Sequence, residues 1–288
     1  MTDAPAIDPV ALFDAYLKVT GVASLEHARA DDPSLQGRTL GIINGSSWIS
    51  LWSTWFARLL VPGVKLVSAG SEAVQLNFMA AHRRGEAVPP QENIDLFART
   101  AVDIVHLHPV DAILITCSTM NRAHPAVREA VRVAAAPRVV PVVQIDEPMM
   151  EKAVRTGPRI HAVATPGPTV ENTKALLLET AERSRRRVSV ECATVERAFD
   201  LLGEGDVRGH NDEVASVIRR ETGRGRFDAV VLAQLSMSAF VFSYPDRVAV
   251  FGLPVLTSGE EGFLRVREVL RQLPPADAGA RSPRSSRA

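Results

Sequence analysis

Cysteine is scarce in this 288-residue chain, which carries only Cys117 and Cys192. Two thiols are too few for a disulfide framework or a cysteine-rich zinc site. An excess of one charge is missing as well: 33 basic side chains stand against 33 acidic ones. Without a basic surplus, nothing invites nucleic acid or an anionic membrane. Long hydrophobic runs are also absent. Stretches such as 229–233 are strand-length, far short of the roughly 20 residues a membrane span needs. Residues 1–8 hold two acids and no basic segment, so no secretory signal is expected there. What remains is a soluble, cytoplasmic protein with reduced thiols. Its size suits one large domain or two lobes.

The apolar residues fall into a regular order. Residues 1–37 form a preamble, with a short helix expected at 9–19 from its spacing. Short apolar segments at 39–43, 64–68, 112–116 and 139–145 read as strands. Amphipathic segments at 48–60, 90–105 and 125–135 read as helices between them. The pattern then repeats. Strands are expected at 160–164, 188–191, 229–233 and 248–251, and helices at 170–185, 212–222 and 260–273. Residues 274–288 are rich in Pro, Ala, Ser and Arg, and are expected to be disordered.

Continuous apolar strands alternating with helices argue an α/β protein with parallel sheets covered on both faces. The repetition argues two pseudo-symmetric lobes, each a parallel sheet flanked by helices. Lobe 1 is expected over 38–145 and lobe 2 over 146–254, with a C-terminal helix at 255–273 packing back on lobe 1. Each lobe offers one small-residue loop and one strand-end motif. Ligands in such sheets sit beyond the carboxyl ends of the strands, so the active site is expected in the cleft between the lobes.

Two strand-end motifs share one frame. Asp111-Ala112 leads through aliphatic residues to Cys117, and Asp228-Ala229 leads in the same way to Gln234. Each functional position lies six residues after its aspartate. One half presents a thiol and the other an amide.

These residues resemble the aspartate/glutamate/hydantoin racemase superfamily. Ile115-Thr116-Cys117-Ser118-Thr119 is similar to its first cysteine motif. Pro141-Val142-Val143-Gln144-Ile145-Asp146-Glu147-Pro148 is similar to the crossing into the second lobe. Val163-Ala164-Thr165-Pro166-Gly167-Pro168-Thr169, with Lys174-Ala175-Leu176 behind it, resembles that lobe's opening strand, loop and helix. Asp228 to Ser236 matches the frame of the second cysteine motif. The resemblance spans about 38–272 and implies two lobes and catalysis with neither cofactor nor metal. It also implies two cysteines facing opposite sides of a substrate α-carbon. The chain departs at Gln234, whose amide has no useful acid or base chemistry near neutral pH. Cys192 lies mid-lobe, outside either motif.

Cys117 is therefore the expected catalytic residue, although a free cysteine is as readily a buried core residue. A working thiolate needs its pKa of about 8.5 lowered by a helix N-terminus or polar donors, which Ser118 and Thr119 could supply. Asn44, Ser46 and Ser47 in one loop, and Thr165, Gly167 and Thr169 in the other, read equally as turn and cap residues or as a carboxylate cradle. Gln234 and Ser236 are candidate substrate donors; no base stands beside Ser236, which argues against a nucleophilic serine. Asp146 and Glu147 read as capping or pairing residues at the lobe crossing, with a role at the cleft floor as the alternative. His106, His108, His124, His161 and His210 show no metal-ligand spacing. Trp48, Trp52 and Trp55 fall at helical spacing and read as core or interface; an apolar patch there could support a homodimer.

The expected function is a cofactor-independent isomerase that moves a proton at the α-carbon of a small carboxylate substrate, with Cys117 as acid/base. Two alternatives stay open: a single-cysteine decarboxylase resembling the arylmalonate decarboxylases, and a non-catalytic carboxylate-binding protein. A cysteine-nucleophile isomerase like the maleate isomerases is a further possibility.

Overall fold

The computed structural model describes residues 8–20, 32–165 and 167–274. It contains two four-stranded sheets. The first is built from β1 (Thr39–Asn44), β2 (Lys65–Gly70), β3 (Ala112–Ile115) and β4 (Val142–Gln144) in the order β2-β1-β3-β4. The second is built from β5 (Arg159–Ala164), β6 (Ser189–Thr194), β7 (Ala229–Leu232) and β8 (Val255–Thr257) in the order β6-β5-β7-β8. Every pairing is parallel. The identical order makes the two lobes pseudo-symmetric, as the repeated pattern implies.

Burial explains which segments became central strands. β1, β3 and β7 are buried along their whole length, as a parallel strand covered on both faces must be. The edge strands β2 and β6 are only partly covered. The Asp-Ala pair that opens β3 and β7 has the same task in both lobes. Asp111 Oδ2 accepts from the Thr39 amide at 2.7 Å, and Asp228 Oδ2 accepts from the Arg159 amide at 2.9 Å. Each aspartate also pairs with an arginine, Arg38 at 3.2 Å and Arg159 at 2.6 Å. Each thereby staples the start of its strand to the strand beside it. The repeated motif is thus a register device at the end of the sheet away from the site.

The chain crosses between lobes twice. It leaves lobe 1 at Asp146 through the Glu147–Thr156 helix, and returns through the Ser258–Gln272 helix. That second helix buries Phe263, Val266 and Leu270 in one core with Leu40, Ile42, Phe56 and Leu114 of the first sheet.

Several boundaries differ from expectation. Residues 247–251 form a short helix, Arg247–Phe251, and the eighth strand is Val255–Thr257 instead. A short apolar run does not separate strand from helix. Here the local signals favour helix: Asp246 accepts from the Ala249 amide at its start, and Gly252 closes it in the left-handed region at φ 73°. β4 is confined to Val142–Gln144. Helices Glu72–Arg83, Glu147–Thr156 and Glu196–Gly203 were not expected from the apolar pattern. The expected helix at 9–19 is observed as Pro9–Thr20. The expected disorder of the C-terminal tail concerns residues that, past 274, lie outside the described ones. Among the described residues no helix is long and apolar enough to cross a membrane.

Candidate active site

The sheet order fixes where loops meet. From β1 the chain moves to β2 on one side, and β3 lies on the other. The loops after β1 and β3 therefore diverge and leave a crevice, the topological switch point of an open parallel sheet. Lobe 2 repeats this between β5 and β7. The four loops so defined begin at Gly45, Cys117, Thr165 and Gln234.

In lobe 1 the two loops touch. A β-carbon at Gly45 would sit 2.3 Å from Cys117 Sγ, so only glycine lets the β1 loop pass the sulfur. Asn44 holds the same loop from beneath. Its Oδ1 accepts from Ser53 Oγ and Thr116 Oγ1, both at 2.6 Å, and its Nδ2 donates to Ser68 Oγ at 2.8 Å. Buried and bonded at both ends, Asn44 ties β1 to β3 and turns no group toward the cleft.

Cys117 is half-buried and its sulfur lies 3.1 Å from Thr119 Oγ1. Desolvation pushes its thiol above the ordinary value, and the nearby Asp146 charge pushes the same way. The Thr119 hydroxyl and the amides of Met120 and Thr119 pull against this without overcoming it. The sulfur thus touches the cleft yet sits among protein atoms on its other sides. The lowering that a working thiolate needs is therefore not supplied here: Thr119 donates but does not outweigh burial, and the raised thiol favours the protonated form, a proton donor.

Asp146 is buried, accepting from Ser118 Oγ at 3.0 Å and Gln144 Nε2 at 3.1 Å. Burial raises its carboxyl to about 6; the hydrogen bonds from Ser118 and Gln144 oppose that rise, as does Ser258, whose hydroxyl has no partner of good geometry. Among the described residues no cationic side chain pairs with it. The crossing residue is therefore an uncompensated carboxyl one residue from the thiol's wall.

In lobe 2, Gln234 Oε1 accepts from the Thr165 amide at 2.9 Å and from Thr165 Oγ1 at 2.8 Å. An amide N–H needs an acceptor, so the oxygen end of Gln234 must face Thr165. The Nε2 end, with two donors, is left for the cleft. Among the described residues it has no hydrogen-bond partner.

Cys117, Ser46, Ser118, Thr119, Gln234 and Ser236 line one cleft of about 600 Å³, its open mouth included. Of the other expected residues, Asn44, Ser47, Thr165 and Thr169 do not line it. Ser47 is exposed and its hydroxyl and amide bind Glu72. Thr165 is buried behind Gln234. Gly167 opens the Gly167–Arg183 helix, and Thr169 is fully buried with its hydroxyl unpartnered. Trp48 lines the cleft, while Trp52 and Trp55 pack on Phe242 with ring centroids at 5.8 and 5.7 Å. Gln75, Phe78, Met79 and Phe199 also line it. They come from two of the unexpected helices, and the i, i+4 pair Val74 and Phe78 was the available signal. Cys192 sits on the edge strand β6, away from this cleft; burial raises its thiol too. Among the described residues no three His, Cys, Asp or Glu side chains gather so as to hold a metal ion.

The chain matches the Asp/Glu/Hydantoin racemase family over residues 64–263. No curated protein matches it by sequence. Among solved structures it is similar to glutamate racemase from Francisella tularensis in complex with D-glutamate. That likeness has 16% identity, 81% of each chain covered and a TM-score of 0.56. It is similar to allantoin racemase from Pseudomonas fluorescens at 18% identity, with 87% of this chain and 99% of that one covered and a TM-score of 0.54. It is also similar to a Gly74Cys mutant of arylmalonate decarboxylase at 16% identity, with 84% of this chain and 97% of that one covered and a TM-score of 0.51. At such identities these likenesses establish a common fold.

Proposed function

Because the chain belongs to the Asp/Glu/Hydantoin racemase family, we propose that it is an isomerase that moves a proton at a carbon beside a carboxyl or related carbonyl group, with Cys117 as the acid/base. The observation that carries this reading is the position of Cys117 Sγ. It is half-buried at the carboxyl end of a central strand, on the wall of the interlobe cleft and against the Gly45 backbone. Removing a proton from carbon builds charge on the adjoining carbonyl oxygen. In this reading Gln234 and Ser46, which both line the cleft, stabilise that charge through the Gln234 Nε2 donors and the Ser46 hydroxyl. Such preorganised donors are commonly the largest source of rate, and a positioned acid/base adds roughly a hundred- to ten-thousand-fold.

Gln234 can give no proton to the far face. Cys117 would therefore work from one side, and the second proton would come from solvent. On this reading, α-proton exchange outruns inversion of the substrate. The α-proton passes to the minor thiolate form of Cys117, whose thiol so formed can return it or exchange it with solvent, while hydroxyl and amide donors stabilise the charge left on the substrate oxygen.

A decarboxylase is the second reading. It is favoured by the partial burial of the Cys117 sulfur, which pushes its thiol up and so favours the proton-donor form. A donor on one face is all that is required once carbon dioxide has left. A screen of amino acids, hydantoins and substituted malonates by thermal shift, followed by proton NMR in deuterium oxide, separates the two. Solvent deuterium entering an otherwise unchanged substrate supports the isomerase. Carbon dioxide release with a single product enantiomer supports the decarboxylase. Ligand binding with neither outcome contradicts both.

A further inference from the structure

A second hollow lies at the end of the lobe 2 sheet opposite Thr165 and Gln234. It is a groove of about 950 Å³, open solvent included, where Arg159 begins β5 and Phe227 leads into β7. Arg159, Arg219 and Arg226 line it, and among the described residues no Asp or Glu does. The whole chain balances 33 basic side chains against 33 acidic ones. The positive charge here is therefore a local concentration and not a general surplus.

The Val207–Arg224 helix ends at this groove. Arginines near the end of a helix ordinarily answer its dipole and need no ligand. Pairing separates two kinds here. Arg220 and Arg224 meet Glu221 at 2.6 and 3.5 Å and do not line the groove. Arg219 and Arg226 do line it, and among the described residues neither pairs with a carboxylate. Arg159 is partly neutralised by Asp228, whose oxygens lie 2.6 and 3.3 Å from its guanidinium. The helix end contributes about half a negative charge, less than two uncompensated guanidiniums supply. Arg219 is also held in place: its guanidinium lies 5.3 Å from the Phe251 ring centroid and 5.9 Å from that of Tyr244.

The rest of the wall is largely apolar. Phe227, Val250 and Phe251 line it, and Val250 is 46% exposed. A guanidinium meets two phosphate oxygens at once, and a pair of guanidiniums favours a group with more than one negative charge. The apolar side chains beside them suit a flat ring joined to that group. We propose that this groove binds a nucleotide, with its phosphates on Arg219 and Arg226 and its base against Phe227 and Val250. The groove shares no lining residue with the interlobe cleft. The site therefore stands apart from the proton-transfer reading and does not depend on it.

The probe is ADP, with pyrophosphate and adenosine standing for its two halves. Calorimetry on the full chain at low ionic strength, where exposed charges are least screened, reads all three. ADP is expected to bind at least about tenfold tighter than either half, since joining the halves makes the second contact intramolecular. Arg226→Glu should weaken ADP at least about tenfold, because it sets a like charge against the phosphates. Arg226 is exposed and unpaired, so this variant should keep the wild-type unfolding midpoint. Arg224→Glu makes the same charge change two residues away, at an arginine outside the groove, and should shift ADP affinity by about twofold or less. No ADP binding at about 1 mM, or equal weakening in both variants, overturns the proposal. Undiminished binding in Arg226→Glu would place the nucleotide elsewhere and overturns it too. So does pyrophosphate or adenosine binding as tightly as ADP.

Discussion

Gly45 and Cys117 approach so closely that a β-carbon on the first would lie 2.3 Å from the sulfur of the second. The loop that follows β1 therefore fixes where the thiol can point. Gly45→Ala is expected to force the sulfur or the loop aside. Overpacking of this kind costs about 1–3 kcal/mol, and the thiol should lose its place in the cleft. Urea unfolding and the alkylation rate of Cys117 check this together. Unchanged stability with unchanged alkylation contradicts the contact.

The raised thiol has a direct consequence for reactivity. Only the thiolate attacks an alkylating agent, so Cys117 should react with iodoacetamide more slowly than free cysteine near neutral pH. Its rate should climb only above the ordinary thiol range. The measurement is best made in Cys192→Ser, so that one thiol reports. A rate profile shifted below that of free cysteine would mean that hydrogen bonds to the sulfur outweigh its desolvation.

Asp146 should set a pH dependence of stability with a definite sign. Its carboxyl stands at about 6 in the fold against an ordinary 3.8. Stability from this group is fully present below its unfolded value and is lost as the pH rises through about 6. Relative to Asp146→Asn, the wild type should lose about 1.5 kcal/mol between roughly pH 5 and pH 8. Urea denaturation of both proteins at those two pH values tests this. A difference that stays flat, or runs the other way, contradicts an uncompensated buried carboxyl.

Gln234→Cys should restore a thiol to the second wall. It also leaves the Thr165 amide and hydroxyl without their acceptor, at about 1–3 kcal/mol. With an acid on each face, inversion should approach the rate of α-proton exchange, where the wild type exchanges faster than it inverts. Polarimetry beside proton NMR reads both rates. An unchanged ratio argues that the far-face proton never came from position 234.

The two-lobed architecture was legible because β1, β3, β5 and β7 are short, almost wholly apolar runs, and buried parallel strands demand that composition. The Asp-Ala repeat also marked the symmetry, although its physical role is register: Asp111 and Asp228 clamp neighbouring strands at the far end of each sheet. Cys117, Gln234 and Ser236 could be placed from the strand-end frame together with the family resemblance, and all three line the cleft. The rest of the wall could not. Phe78 and Met79 arrive on the Glu72–Arg83 helix, whose apolar face is broken by polar residues. Phe199 comes from a short helix in the other lobe. Asn44 and Thr165 read as ligand residues, yet long-range partners claim them, Thr116 and Ser68 for the first and Gln234 for the second. Asp146 reads in sequence as a cap or pairing residue at the crossing, with the cleft floor only as the alternative. Its weight comes from burial against Ser118, which only the assembled crossing creates.

The most direct measurement follows the α-proton itself. Proton NMR in deuterium oxide, with a substrate identified by binding, should show the wild type replacing that proton with deuterium. Cys117→Ala should reduce this at least about a hundredfold, the usual share of a positioned acid/base, while ligand binding and the unfolding midpoint stay near those of the wild type. Exchange that persists undiminished without the sulfur would contradict proton transfer by Cys117.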